Sequence, residues 1–261
     1  MYNDHSTLAS KMIALLNVRD LNTIGSCDNP VSHPNIRQRS VMHLLTVYSH
    51  PLRHSYPGAV MDAFHQPILD AGHTVDILDL HRENFDPRFT KEDHACFWGE
   101  ELPVDIPPMH SRVENADQLA FVFPVYWWSM PALMKGWIDR VFTGGWAYQY
   151  GDGVEDRGKA ALMGRLTNLP TVLIGVGGSK KSTYDKYEYA NAMRTQLDLG
   201  IFAYCGITDV ESHLIYDVEG DHNTPNRERG LELAEQISQS FISPSRQPLN
   251  AKDAFLRARS V

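Results

Sequence analysis

Two short segments hold the residue types best suited to chemistry. The first, Tyr48-Ser-His-Pro-Leu-Arg-His-Ser55-Tyr56, sets hydroxyls, imidazoles and a guanidinium directly ahead of a helix-forming stretch. Free backbone N–H groups and the positive end of a helix suit a phosphate, so His50, Arg53, Ser55 and Tyr56 are candidates to hold one. A simpler alternative explains the same residues: Ser55 caps the helix, and His50 and His54 are solvated loop residues. The second segment, Phe123-Pro-Val-Tyr-Trp-Trp-Ser-Met-Pro131, crowds three large rings into one turn. Rings exposed together are costly unless something flat covers them. Core packing accounts for one or two, and Trp137 reads as core, but Tyr126, Trp127 and Trp128 together point to a planar cofactor or substrate.

The elements that must position these loops follow from periodicity. Apolar runs at Val41–Tyr48, Thr74–Leu80, Leu119–Phe123, Thr171–Val176 and Ile207–Tyr216 read as strands. Helical spacing appears between them, at Tyr56, Val60, Phe64 and Ile68, and at Leu133, Trp137 and Val141. That alternation predicts an α/β fold, a parallel sheet covered by helices, whose ligands bind beyond the carboxyl ends of the strands. Ser55 with Pro57, and Ser129 with Pro131, mark helix starts, while Pro67 is expected to end or bend the first helix. A last helix is expected over Asn226–Phe241. Residues 1–40 read as an extension with a short helix at Leu8–Leu16, residues 41–241 as the domain, and residues 242–261 as a tail that packs loosely or against a partner subunit.

Composition narrows the function classes. The chain has 261 residues and a net charge of -8, with no basic stripe for nucleic acid or anionic lipid. Cys27, Cys96 and Cys205 are too scattered for a disulfide framework, a metal site or a redox pair, which suits the cytoplasm. Neither a signal peptide nor a membrane span is expected. A GxGxxG after the first strand and a GxxxxGK[ST] motif are both absent, and the glycines cluster instead at Gly175-Val-Gly-Gly178. A plain dinucleotide dehydrogenase or P-loop enzyme is disfavoured.

The run FPVYWWSMPALMKGWIDRVF followed by GGWAYQYG resembles the signature of the NAD(P)H:quinone oxidoreductase family, the DT-diaphorase-like enzymes, and the resemblance extends from about Val41 to Phe241. It implies a flavodoxin-like three-layer sandwich with a five-stranded parallel sheet of order 2-1-3-4-5. It also implies FAD, with FMN as the alternative, NAD(P)H as electron donor, and a quinone-type acceptor reduced by two-electron ping-pong transfer. His50, Ser55 and Tyr56 would hold the flavin pyrophosphate, and Pro124, Val125, Tyr126, Trp127 and Trp128 would line the ring. Gly177 and Gly178 would touch its far edge, and Arg229 would lie near the adenine end. Tyr148, Tyr150 and Tyr204 match positions that cross a homodimer interface to close the pocket, with Trp127 and Trp128 facing the acceptor. The catalytic candidates are Gly178, Tyr184 and Tyr187. Tyr184 matches the family's tyrosine near the flavin, and Tyr187 stands where the family has a histidine, with Tyr189 just beyond. Other acceptors, an azo or nitro aromatic or a biosynthetic quinone, suit the same pocket, and a flavin-binding regulatory subunit is the non-enzymatic alternative.

Overall fold

The computed structural model describes residues 41–250, apart from 97, 156–158 and 221–222. The expected extension, its helix at Leu8–Leu16, Cys27 and residues 251–261 of the tail lie outside the described residues. Five parallel strands form the sheet: β1 (His43–Tyr48), β2 (Thr74–Asp79), β3 (Gln118–Pro124), β6 (Thr171–Val176) and β7 (Val210–Ile215). Their spatial order is β2-β1-β3-β6-β7, which is the expected 2-1-3-4-5 once the intervening hairpin is set aside. That hairpin, β4 (Tyr148–Glu155) and β5 (Lys159–Gly164), was not foreseen. Its polar stretch GDGVEDRGK hides the strand alternation.

Side chains alternate across the sheet and build one core on each face. Leu45, Val47, Leu119, Phe121, Phe123 and Leu173 point to one side. Leu44, Tyr48, Ala120, Val122, Val172 and Ile174 point to the other. On the second face lie α1 (Tyr56–Asp70) and α7 (Thr224–Phe241). The first face carries α2 (Lys91–Cys96), α3 (Ile106–Asn115), α4 (Ala132–Val141), α5 (Lys181–Lys186), α6 (Tyr189–Arg194) and a π-helical segment, Thr195–Ala203. The three-layer arrangement puts every strand's carboxyl end on one edge, where the two chemistry-bearing loops emerge.

Two expectations need correction. Pro67 does not end α1: the helix runs on to Asp70, and the Ala71 N–H closes on the Pro67 carbonyl at 3.1 Å. A proline this near the end removes only one helical bond, which the buried face outweighs. The tail to Asn250 is tied to its own chain rather than left loose. Arg246 grips Asp209 at 2.6 and 2.7 Å and Glu211 at 2.8 Å, with its guanidinium 5.1 Å from the Phe241 ring centre.

Candidate active site

The first loop combines a helix cap with an incomplete polar cradle. Ser55 caps α1, its Oγ accepting the Gly58 N–H at 3.4 Å and lying 3.2 Å from the Tyr48 hydroxyl. Gly58 has to be glycine, because a Cβ there would stand 2.0 Å from the Arg53 carbonyl oxygen. Arg53 donates to Asp62 through both terminal nitrogens, so its charge is already paired. His50 Nδ1 lies 3.0 Å from Leu52 N and 2.9 Å from Leu52 O, so that nitrogen is spent on the loop in either tautomer. Its Nε2 is the nitrogen left for a ligand. The Tyr56 hydroxyl donates to the Arg227 carbonyl at 2.8 Å and ties α1 to the start of α7, and burial pushes its pKa up to about 12.

Ser49, missed by sequence reading, is the telling residue of this loop. It is fully buried, and its Oγ finds no hydrogen-bond partner among the described residues. An unmet buried polar group costs about 1–3 kcal/mol. A polar ligand at the head of α1 would remove that cost only if the loop opened, since the Ser49 hydroxyl is enclosed in this structure.

The aromatic turn carries backbone strain. Val125 N–H donates to Val176 O at 2.8 Å as the last rung of the sheet. Tyr126 and Ser129 then exchange backbone bonds of 3.0 and 3.1 Å around a two-residue loop. Both loop residues are left-handed, Trp127 at φ 49° and Trp128 at φ 61°. Two-residue loops of this kind favour Asn-Gly, and holding a bulky residue in a sparsely populated region costs about 1–3 kcal/mol. Trp127 is also 93% exposed. Trp128 is fixed, stacked on the Tyr189 ring at 3.8 Å and 15° and meeting the Tyr184 ring edge-on at 5.3 Å. Both indoles carry backbone strain, with Trp127 left exposed and Trp128 packed against the neighbouring tyrosine cluster.

The glycine turn after β6 lies beside this platform, since Pro124 pairs with Val176 in adjacent strands. The Gly177 N–H is used in the sheet, donating to Ile215 O at 2.8 Å. Gly178 N–H has no acceptor among the described residues, so it is the donor that remains for a ligand. Tyr184 packs under the turn: a Cβ on Gly177 would stand 2.5 Å from the Tyr184 hydroxyl oxygen. Burial, with the Tyr216 hydroxyl nearby, pushes the Tyr184 phenol up to about 12, so it keeps its proton at neutral pH.

The structure places the remaining candidates apart from one another. Tyr187 is 53% exposed, lies 5.4 Å from the Tyr189 ring and carries Lys186 over its face at 4.9 Å. Tyr189, not Tyr187, touches the aromatic turn. Arg229 bonds to Asn226 and lines an open cleft of about 320 Å³ with Lys181, Tyr216 and Asp217 at the β7 edge. Tyr148 and Tyr204 pack edge-to-face at 5.3 Å, and both border a cleft with Ile138, Asp139 and Phe142 from the C-terminal half of α4. The aromatic turn sits ahead of the opposite end of that helix, so these tyrosines do not meet it within one chain. Tyr150 lies in β4, with its side chain outside the described residues. Cys205 is a buried thiol pushed up to about 12 by desolvation, in line with an inert role.

A helix N-terminus with an unmet hydroxyl, a flat aromatic platform and an unpaired N–H beside a protonated phenol fit a flavin, its phosphate at one end and its ring at the other. Fold and site together define a flavodoxin-like α/β protein with a candidate flavin site at the carboxyl edge of its sheet. A family model described as flavodoxin-like fold matches residues 42–238, and the chain belongs to this family. It is 29% identical over 205 residues to an uncharacterized NAD(P)H oxidoreductase of Haemophilus influenzae, covering 77% of this chain and 96% of the relative. It is 27% identical over 248 residues to NAD(P)H dehydrogenase (quinone) 1 of Rattus norvegicus, covering 85% and 88%. The solved structure of an NAD(P)H:quinone oxidoreductase from Methanothermobacter marburgensis superposes with a TM-score of 0.68 at 29% identity, covering 76% of this chain and 98% of that one.

Proposed function

We propose that the protein is a flavin-dependent NAD(P)H:quinone oxidoreductase that binds FAD at the carboxyl edge of its sheet. The strained turn carries this reading, because the left-handed and almost fully exposed Trp127 indole has no packing purpose that a smaller residue would not serve better. Bound flavin supplies two-electron hydride exchange between a nicotinamide and a quinone. Ser49, His50 Nε2 and the first turn of α1 hold the phosphate end. Trp127 and Trp128 fix the plane of the ring, and its open face is the slot that donor and acceptor occupy in turn. The Gly178 N–H and the Tyr184 hydroxyl are preorganised donors toward an edge on which negative charge grows, and such donors lower a barrier without reorganising. Arg53 acts by holding the loop through Asp62 and contributes little direct charge to the phosphate.

The same reading includes a homodimer. Tyr148 and Tyr204 form a half-exposed aromatic pair away from their own platform, which suits delivery to the partner's flavin across an isologous interface. The cytoplasm, where flavoenzymes of this type meet reduced nicotinamide, is the compartment we assign. No described helix is long and apolar enough to cross a membrane.

Menadione reduction by purified, flavin-loaded protein, run in parallel with NADH and NADPH, tests the activity. Turnover with at least one donor, with parallel lines in double-reciprocal plots, is the expected result. Flavin-loaded protein that reduces no quinone with either donor would reject the enzyme and favour a flavin-binding subunit.

A further inference from the structure

The segment that follows β7 is braced against the glycine turn. Asp217 N–H donates to Ser179 O at 3.0 Å, which continues the pairing begun by Gly177 and Ile215. Asp217 itself is left-handed at φ 57°, and Asn226 Nδ2 holds that conformation through the Asp217 carbonyl at 3.0 Å and its carboxylate at 3.1 Å. Asn223 Nδ2 donates to the Glu219 carbonyl. The result is a loop folded back onto the site, with the Glu219 side chain lying on Gly178. A Cβ built on Gly178 would stand 2.3 Å from both Cδ and Oε1 of Glu219. Among the described residues no cation pairs with this carboxylate. Lys181 is engaged by Asp185 at 2.7 Å, and Arg229 by Asn226.

We propose that Glu219 is a positioning residue that sets the electrostatics of the ring edge seated against Gly178. This rests on the flavin placement proposed above. Gly178 offers a donor that favours negative charge on that edge, and Glu219 offers a fixed negative charge that opposes it. Two like charges within a few ångströms interact appreciably even near a surface, and salt weakens the effect. Glu219 therefore lowers the potential of the bound flavin and tunes it toward passing electrons on.

Redox equilibration against a reference dye tests this on wild type, Glu219→Gln and Glu219→Asp, each loaded with the same flavin. At the wild-type midpoint the Gln variant is expected to be about tenfold more reduced, a positive shift of about 30 mV for a two-electron couple. The Asp variant, which keeps the charge, should stay closer to wild type than Gln does. In 1 M salt the Gln difference should shrink. Equal potentials for wild type and Gln at low salt would overturn the proposal, and so would a shift that 1 M salt leaves unchanged, because that would assign the effect to loop packing. If none of the three proteins takes up flavin, the placement itself fails, an outcome separate from unequal or equal potentials.

Discussion

The aromatic turn and the ion cluster around Arg140 are both rich in groups that are expensive to place, yet they are finished in opposite ways. Arg140, 4% exposed, donates to Asp93 at 2.9 and 3.0 Å, to Asp105 at 2.6 and 3.0 Å and to the Asp86 carbonyl at 2.9 Å. Each nitrogen of that buried guanidinium finds a partner within the chain, and the cluster pins the long excursion between β2 and α3 onto α4. The turn at Trp127 and Trp128 is the reverse, with two left-handed indoles, one of them almost fully exposed, beside an unmet Ser49 hydroxyl and an unpaired Gly178 N–H. Internal completion marks a structural device. Incompletion at one edge of the sheet marks a place where something else supplies the missing contacts.

The sharpest way to break this contrast is Asp93→Ala. Stripping a partner from a buried pair typically costs about 3–5 kcal/mol, and because Asp105 still holds Arg140 we expect roughly 3 kcal/mol, seen as a lower midpoint in denaturant unfolding. Folded variant should bind flavin as wild type does. A loss of flavin affinity without loss of stability would reverse the assignment of the cluster.

Tyr184→Phe comes next. Removing a preorganised donor costs about 100- to 1000-fold in rate when the site is closed. Tyr184 is buried, but the neighbouring Trp127 is open to solvent, so we expect flavin reduction in stopped-flow to slow roughly 30-fold, about 2 kcal/mol, with flavin content unchanged. A wild-type rate would remove the phenol from the mechanism.

Trp127→Gly separates the two regions by sign. Glycine adopts the left-handed conformation freely, so apoprotein stability should rise by about 1 kcal/mol, while flavin affinity falls. Thermal melts and flavin titrations on the same samples check both halves, and a destabilised apoprotein would mean that the turn is ordinary packing. The smallest effect is assigned to Tyr187→Phe, which should reduce its flavin within a factor of two of wild type. A large slowing there would move the donor role one ring outward.

These outcomes also show how much was legible beforehand. Apolar runs announced all five sheet strands, because a buried parallel strand leaves a dense signature, while their order came from the family resemblance. Trp127 and Trp128 stood out because three rings in a turn have few bland explanations. The hairpin at Tyr148–Gly164 and the π-helical Thr195–Ala203 stayed hidden, the first behind polar residues and the second because RTQLDLGIF holds no 3.6-residue period. Arg53 was read as a ligand contact from its place before the helix and Arg229 from the family resemblance; the structure pairs them with Asp62 and Asn226. Ser49 and Glu219 carry no local signal, since an unmet hydroxyl or a carboxylate laid on a glycine exists only after folding. The YDKYEY run offered Tyr184 first and Tyr187 second, and only packing shows that Tyr189 stacks on Trp128 and Tyr187 lies outside.

The account stands most directly on whether the incomplete edge binds a flavin. Apoprotein titrated with FAD and with FMN, followed by flavin fluorescence, measures this in one experiment. The predicted result is saturable uptake of one flavin per chain with strong quenching by the stacked indoles, tighter for FAD. Flavin that stays bright and unbound, with both forms at micromolar protein, would contradict it.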